Sequence, residues 1–195
     1  MEPEASPGRR RRFDPERRDR IIDACLLVIG EVGVAGASTR RIAAAADVPL
    51  GSISYHFTDV DELLRAAFER FARQVSDRFE AYMARATTLD EARQAVVDLI
   101  DIDVLADPHE LVLTHELYTL AARDPRYREL THAWMARSRQ ALERHFDPTA
   151  ARLLDALIEG LTIHRALDTE PHDADEVRRA VDTVTRRALA PHEPA

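Results

Sequence analysis

Four Asp-Pro steps punctuate the chain, at Asp14-Pro15, Asp107-Pro108, Asp124-Pro125 and Asp147-Pro148. This pair suits the start of a helix. The carboxylate accepts a hydrogen bond from an otherwise unpaired backbone N–H, and Pro at the first helical position gives up no bond. Capping-box spacing adds Thr88 to Glu91, Asp107 to Glu110 and Asp173 to Glu176, and Ser38 and Thr58 are further N-cap candidates. Behind these signals apolar residues recur at helical spacing. Ile21, Ile22, Cys25, Leu26 and Ile29 make one stripe, and Leu64, Phe68, Phe71, Val75 and Phe79 a longer one. Val96, Leu99, Ile100 and Val104 follow, then Leu113, Leu117 and Leu120, then Leu130, Trp134 and Ala141. No strand-like alternation or internal repeat interrupts them. The pattern predicts an all-α chain of about nine helices, over 15–32, 39–46, 50–56, 59–85, 89–105, 108–122, 125–145, 148–168 and 174–189.

Composition agrees. Hydrophobic residues make up 45% of the 195, enough for a core, while aromatics are 6% and glycines number only six. Net charge is −8, with arginine supplying all 27 basic side chains, which argues against a protein that coats nucleic acid non-specifically. The charge is uneven. Residues 1–60 hold nine Arg and nine acidic residues, so the acidic excess lies beyond them. Arg9 to Arg12, Arg17, Arg18 and Arg20 form the one dense basic cluster, as expected of a protein that touches phosphates at one end. Cys25 is the lone cysteine, which excludes an intrachain disulfide and points to a reducing compartment. The longest apolar run, Cys25 to Ile29, is too short to span a bilayer, and no apolar h-region follows the arginines. A soluble, cytoplasmic protein is expected.

Residues 38–64 compress a short Ala-rich helix, a turn at Asp47 and a second very short helix into little space. Ala43, Ala44 and Ala46 allow close approach, and Val48 plugs the junction. Such a pair is either a DNA-binding helix-turn-helix or an ordinary helical corner, and spacing alone leaves both open.

The residues themselves carry a resemblance. Ile42-Ala43, Ala46-Asp47-Val48, Gly51-Ser52-Ile53, Tyr55-His56-Phe57 and Asp61-Glu62-Leu63-Leu64, with Arg20-Ile21-Ile22-Asp23-Ala24 and Gly33, Gly36, Ser38 and Thr39 upstream, resemble the signature of the TetR family of transcriptional regulators. The likeness covers about residues 17–68. It implies a head that binds a palindromic double-stranded DNA operator as a homodimer and a helical body that senses a small molecule. By resemblance, Thr39 and Arg40 reach phosphate or a base edge, Leu50, Gly51, Ser52 and Ser54 face the groove, and Tyr55 and His56 fix register through phosphates. Ile53 and Phe57 point inward. Two positions depart from the pattern. Pro49 replaces a frequent hydroxyl cap, and Val60 a frequent phosphate-binding Lys. The basic arm, with Arg11 and Arg12, either contacts DNA in compensation or is a solvated tail.

The implied organisation is a disordered basic arm over 1–12, the DNA-binding domain over 13–58, and an effector-binding and dimerisation body over 59–190. The body holds no nucleophile motif, phosphate-cradling loop or zinc spacing, so neither enzymatic activity nor a cofactor or metal is expected. The resemblance implies a pocket, assigned here to Phe79, Met83, Val104, Leu113, Leu117, Trp134, Met135 and Ser138, with Glu116, His115 and Thr114 as polar anchors, fitting a small apolar or aromatic effector. Leu153, Leu157, Gly160, Leu161 and His164 form one candidate dimer stripe, and Val177, Val181 and Val184 the other. An activator, a regulator controlled by a protein partner, and a ligand-binding helical protein with an altered head are the competing readings.

Overall fold

The computed structural model describes residues 15–103, 107–170, 173 and 175–187, the side chains of residues 102, 103 and 187 excepted. Among them there is no strand. Nine α-helices run in order: α1 (Arg17–Gly36), α2 (Thr39–Ala45), α3 (Gly51–His56), α4 (Val60–Arg85), α5 (Leu89–Asp98), α6 (Pro108–Arg123), α7 (Pro125–Leu142), α8 (Pro148–Leu167) and α9 (Glu176–Arg187). A five-residue π-helical turn, Leu99–Asp103, extends α5.

Local chemistry sets most helix starts. Asp107, Asp124 and Asp147 each accept a backbone N–H two residues on, at 2.8 to 2.9 Å, with Pro in the first turn. Thr88 and Glu91 exchange bonds at 3.2 Å as a capping box. Other expected caps differ. Asp59, not Thr58, caps α4, accepting from the Glu62 N–H at 2.8 Å, while Glu62 reaches back to the Thr58 N–H and hydroxyl, both at 2.7 Å. Glu110 does not close a box with Asp107, because Arg78 holds its carboxylate. Asp173 binds the Asp175 N–H and the Arg179 side chain instead of pairing with Glu176.

Two apolar cores share α4. The first joins α1, α2 and α3 to the first half of α4, the middle and last turns of α6 and the first half of α7, around Ile21, Ile29, Ile42, Phe68, Leu117 and Tyr127. The second joins the last turns of α4 and α7 to α5, α8 and α9, around Met83, Val96, Ile100, Leu142, Leu154 and Val181. Each such buried side chain contributes roughly 1.5–3 kcal/mol. With 26 residues α4 is about 39 Å long at 1.5 Å per residue, so it spans both.

Polar ties fasten the same joints. Arg70 of α4 binds Asp23 at 2.7 Å and also Asp19, both on α1. Asp61 at the start of α4 takes the Tyr127 hydroxyl at 2.9 Å and Arg126 at 2.7 Å, both from α7. No helix among the described residues is long and apolar enough to cross a membrane.

Candidate functional site

The short helix pair is built from backbone bonds more than from side-chain caps. Ser38 caps α2 by accepting the Arg41 N–H at 3.3 Å. The chain then turns at Asp47, whose φ of 52° lies in the left-handed region that Asp tolerates. The Val48 N–H closes the corner on the Ala43 carbonyl at 3.0 Å. Lacking a side-chain cap, α3 starts with the Pro49 and Leu50 carbonyls accepting from Ser52 and Ile53 at 2.8 and 3.1 Å.

This fixes which side chains are free. Ile53 and Phe57 are buried, and Arg18 stacks over the Phe57 ring at 5.0 Å. Tyr55 is 82% exposed, and Leu50, Gly51 and Ser54 share its exposure. Ser54 spends its hydroxyl on the Gly51 carbonyl at 3.2 Å. His56 is half-buried with its ring edge-on to Tyr55. On α2, Arg40 is exposed and Thr39 half-buried. Ser52 corrects the expectation. At 9% exposure it lies on the buried side of this six-residue helix, beside Ile53, and does not face outward. Arg11 and Arg12 lie outside the described residues.

A cavity opens between α4, α6, α7 and α8, with about 880 Å³ of space counting its mouth. Four expected residues line it, Phe79, Trp134, Met135 and Ser138, as does Thr114. Tyr118 stacks on Trp134, centroids 6.0 Å apart and planes 19° apart, and Phe71 meets Trp134 edge-on at 5.7 Å. The charged lining was not anticipated. Arg78 holds Glu110 through two bonds of 2.8 and 2.6 Å. Asp155 faces Arg139 at 3.2 Å. Burial raises the Asp155 carboxyl above its ordinary value, against the opposing pull of Arg139. Burial, with Glu159 close by, pushes the Tyr118 phenol well above its ordinary range. A visible signal was the spacing of Asp155, Ile158, Glu159 and Thr162, one face of α8 carrying two acids.

Other expected lining residues lie elsewhere. Leu113 and Leu117 pack in the first core and Met83 in the second. Glu116 points away from the cavity and accepts the Val34 N–H of α1 at 3.1 Å. His115 places Nδ1 2.8 Å from the Leu111 carbonyl. The reason is rotational. At 3.6 residues per turn, Leu111, Thr114 and Tyr118 share one face of α6, and Glu116 falls nearly opposite. Val104 lies outside the described residues.

The two stripes proposed for dimerisation also separate. Val177 and Val181 are 0% exposed within their own chain, and Val184 packs against the same core. The valine stripe of α9 therefore faces inward, leaving Arg178, Arg179 and Thr183 outside. On α8, Leu153 and Leu167 are 52% and 63% exposed, His164 is exposed, and a side chain at Gly160 would meet nothing within 4 Å. Leu157 and Leu161 are half-buried against the second core.

Two family models match this chain. One describes bacterial regulatory proteins of the tetR family, over residues 21–67, and the other the tetracyclin repressor-like C-terminal domain, over residues 87–190. The chain belongs to the TetR family. Its relatives include the HTH-type transcriptional regulator BetI of Cronobacter sakazakii, 31% identical over 93% of this chain and 96% of that one. The HTH-type regulator CymR of Pseudomonas putida is 33% identical over 71% and 68% of the two chains. Among solved structures, the transcriptional regulator SCO7518 of Streptomyces coelicolor A3(2) is 54% identical, with a TM-score of 0.81 over 88% of this chain and 99% of that one. The multidrug binding protein EbrR, complexed with ethidium, is 33% identical, with a TM-score of 0.72 over 87% and 99%. The helix order and the short α2–α3 pair of this TetR-family chain are therefore those of a helix-turn-helix transcriptional regulator.

Proposed function

We propose that this regulator is a cytoplasmic repressor that acts by binding alone, as a homodimer on a palindromic operator, and that a small aromatic effector releases it. The head, residues 13–58, would hold DNA through Thr39, Arg40, Leu50, Gly51, Ser54, Tyr55 and His56, with Arg11 and Arg12 of the preceding arm adding phosphate contacts. The body, residues 59–190, would carry the effector in the cavity on α4, α6, α7 and α8. The dimer face would be the open side of α8, at Leu153, Gly160, His164 and Leu167.

One observation carries this reading: α6 serves both ends. Leu111, Thr114 and Tyr118 line the cavity, while Glu116 on the far side of the same helix holds the backbone of α1. An effector that shifts α6 must disturb that joint. It shifts the equilibrium only if it binds the DNA-competent and released arrangements with different affinity. The EbrR complexes with ethidium, proflavin and malachite green support an aromatic effector for this similar fold.

Footprinting of the intergenic DNA upstream of the gene tests the reading. Two protected half-sites in inverted repeat, with centres spaced by about one helical turn (about 34–36 Å) or a multiple of it, are expected. Tetraphenylphosphonium, an aromatic ion that does not intercalate, should abolish the footprint. A single asymmetric half-site, or a footprint indifferent to every aromatic compound tried, contradicts the proposal.

A further inference from the structure

Among the described residues four charged side chains line the cavity, and three have a counter-charge. Arg78 and Glu110 neutralise each other through their paired hydrogen bonds. Asp155 has Arg139. Glu159, one turn further along α8, has no ion-pair partner among the described residues, and its polar neighbour is the Tyr118 hydroxyl. The carboxylate is half-buried against an apolar wall of Phe71, Phe79 and Trp134. Partial removal from water disfavours such a charge, and an incoming cation relieves it. Beside the carboxylate, Tyr118 and Trp134 stack on each other and together form an aromatic wall, a surface on which a delocalised cation gains over a neutral ring.

We infer that Glu159 selects the charge of the effector, and that the cavity takes aromatic monocations with the ring against Tyr118 and Trp134 and the positive charge facing the Glu159 carboxylate. The inference rests on the reading of this cavity as the effector site. Neutral aromatic molecules of the same shape gain the apolar burial but not the charge pairing, and anions are repelled.

Trp134 is the single tryptophan of the chain and stands in the wall, so its fluorescence reports occupancy. The full-length protein is titrated with 10-methylacridinium and with acridine at a mildly alkaline pH where acridine is neutral. The two differ by one methyl group and one charge. The cation should bind about tenfold tighter or more, and Glu159→Gln should bring the two within about threefold. A circular dichroism spectrum and melting temperature that match wild type show that the variant is folded. Equal affinities in the wild type, or a preference that survives in Glu159→Gln, overturn the charge selection and leave the effector cavity standing. Quenching by neither compound overturns both.

Discussion

Glu116 of α6 accepts the backbone N–H of Val34 at 3.1 Å, joining residues 82 apart in the chain. The bond exists because α1 breaks at Gly33, where φ of 70° and ψ of 171° suit glycine alone. A Cβ there would lie 2.5 Å from Glu116 Oε1. One turn earlier, a Cβ at Gly30 would lie 2.8 Å from His109 Cβ. Beside the Arg70 ties and the shared core, two glycines and one carboxylate thus let α1 close on α6. Glu116→Ala should lower stability by about 1–3 kcal/mol by orphaning a partly buried donor. Gly33→Ala should cost about 2 kcal/mol or more, from backbone strain and the clash together. Urea denaturation monitored by circular dichroism checks both, with Glu116→Gln expected to fall between wild type and Glu116→Ala.

Substitutions on α8 and α9 should differ in kind. Leu153→Glu and Leu167→Glu put charge on the open side of α8, so the protein should stay helical but sediment as a monomer. Val181→Asp puts an unpaired charge at a fully buried site. It should unfold the body, at a cost of several kcal/mol. Analytical ultracentrifugation with circular dichroism separates the outcomes. A helical Val181→Asp monomer would return the valine stripe to the interface.

Cys25 is fully buried in α1, and burial pushes its thiol up to about 12. The thiolate is the reactive form, so a thiol reagent at neutral pH should react only when the head opens. Its rate should rise in parallel with denaturant unfolding. Fast labelling of the native protein would mean that α1 exchanges with solvent on its own.

Glu62 and Glu91 each accept from a backbone N–H and a threonine hydroxyl at a helix start, and these bonds hold both carboxyls below their ordinary value. A folded value below the unfolded one stabilises the fold above the unfolded carboxylate range, near pH 4.3, and the contribution is lost as pH falls through the folded value. Melting temperature should therefore fall on acidification below about pH 5, and Glu91→Gln should flatten part of that slope.

Helix starts were legible because capping is chemistry between neighbours in sequence, as with Asp107, Asp124, Asp147 and Ser38. The facing of helices was not. Leu111 and Tyr118 on one side of α6, and Leu113 and Leu117 on the other, give the same apolar signal, so sequence alone assigned Leu113, Glu116 and Leu117 to the cavity. The valine stripe of α9 has the same period whether it meets its own core or another chain. Ser52 sits on a helix too short for period to mean anything. Thr58 lost the cap to Asp59 because both residues can cap, and only the turn geometry chooses.

The most direct test of the central claim is fluorescence anisotropy on labelled DNA from the gene's own upstream region, at stated salt, with wild type, Arg40→Ala and Tyr55→Ala. Both side chains are exposed, so both variants should remain as stable as wild type to within about 0.5 kcal/mol. Tight wild-type binding that both variants lose is the result this account predicts. Binding by Tyr55→Ala that equals wild type would contradict the assignment of the α2–α3 face to DNA.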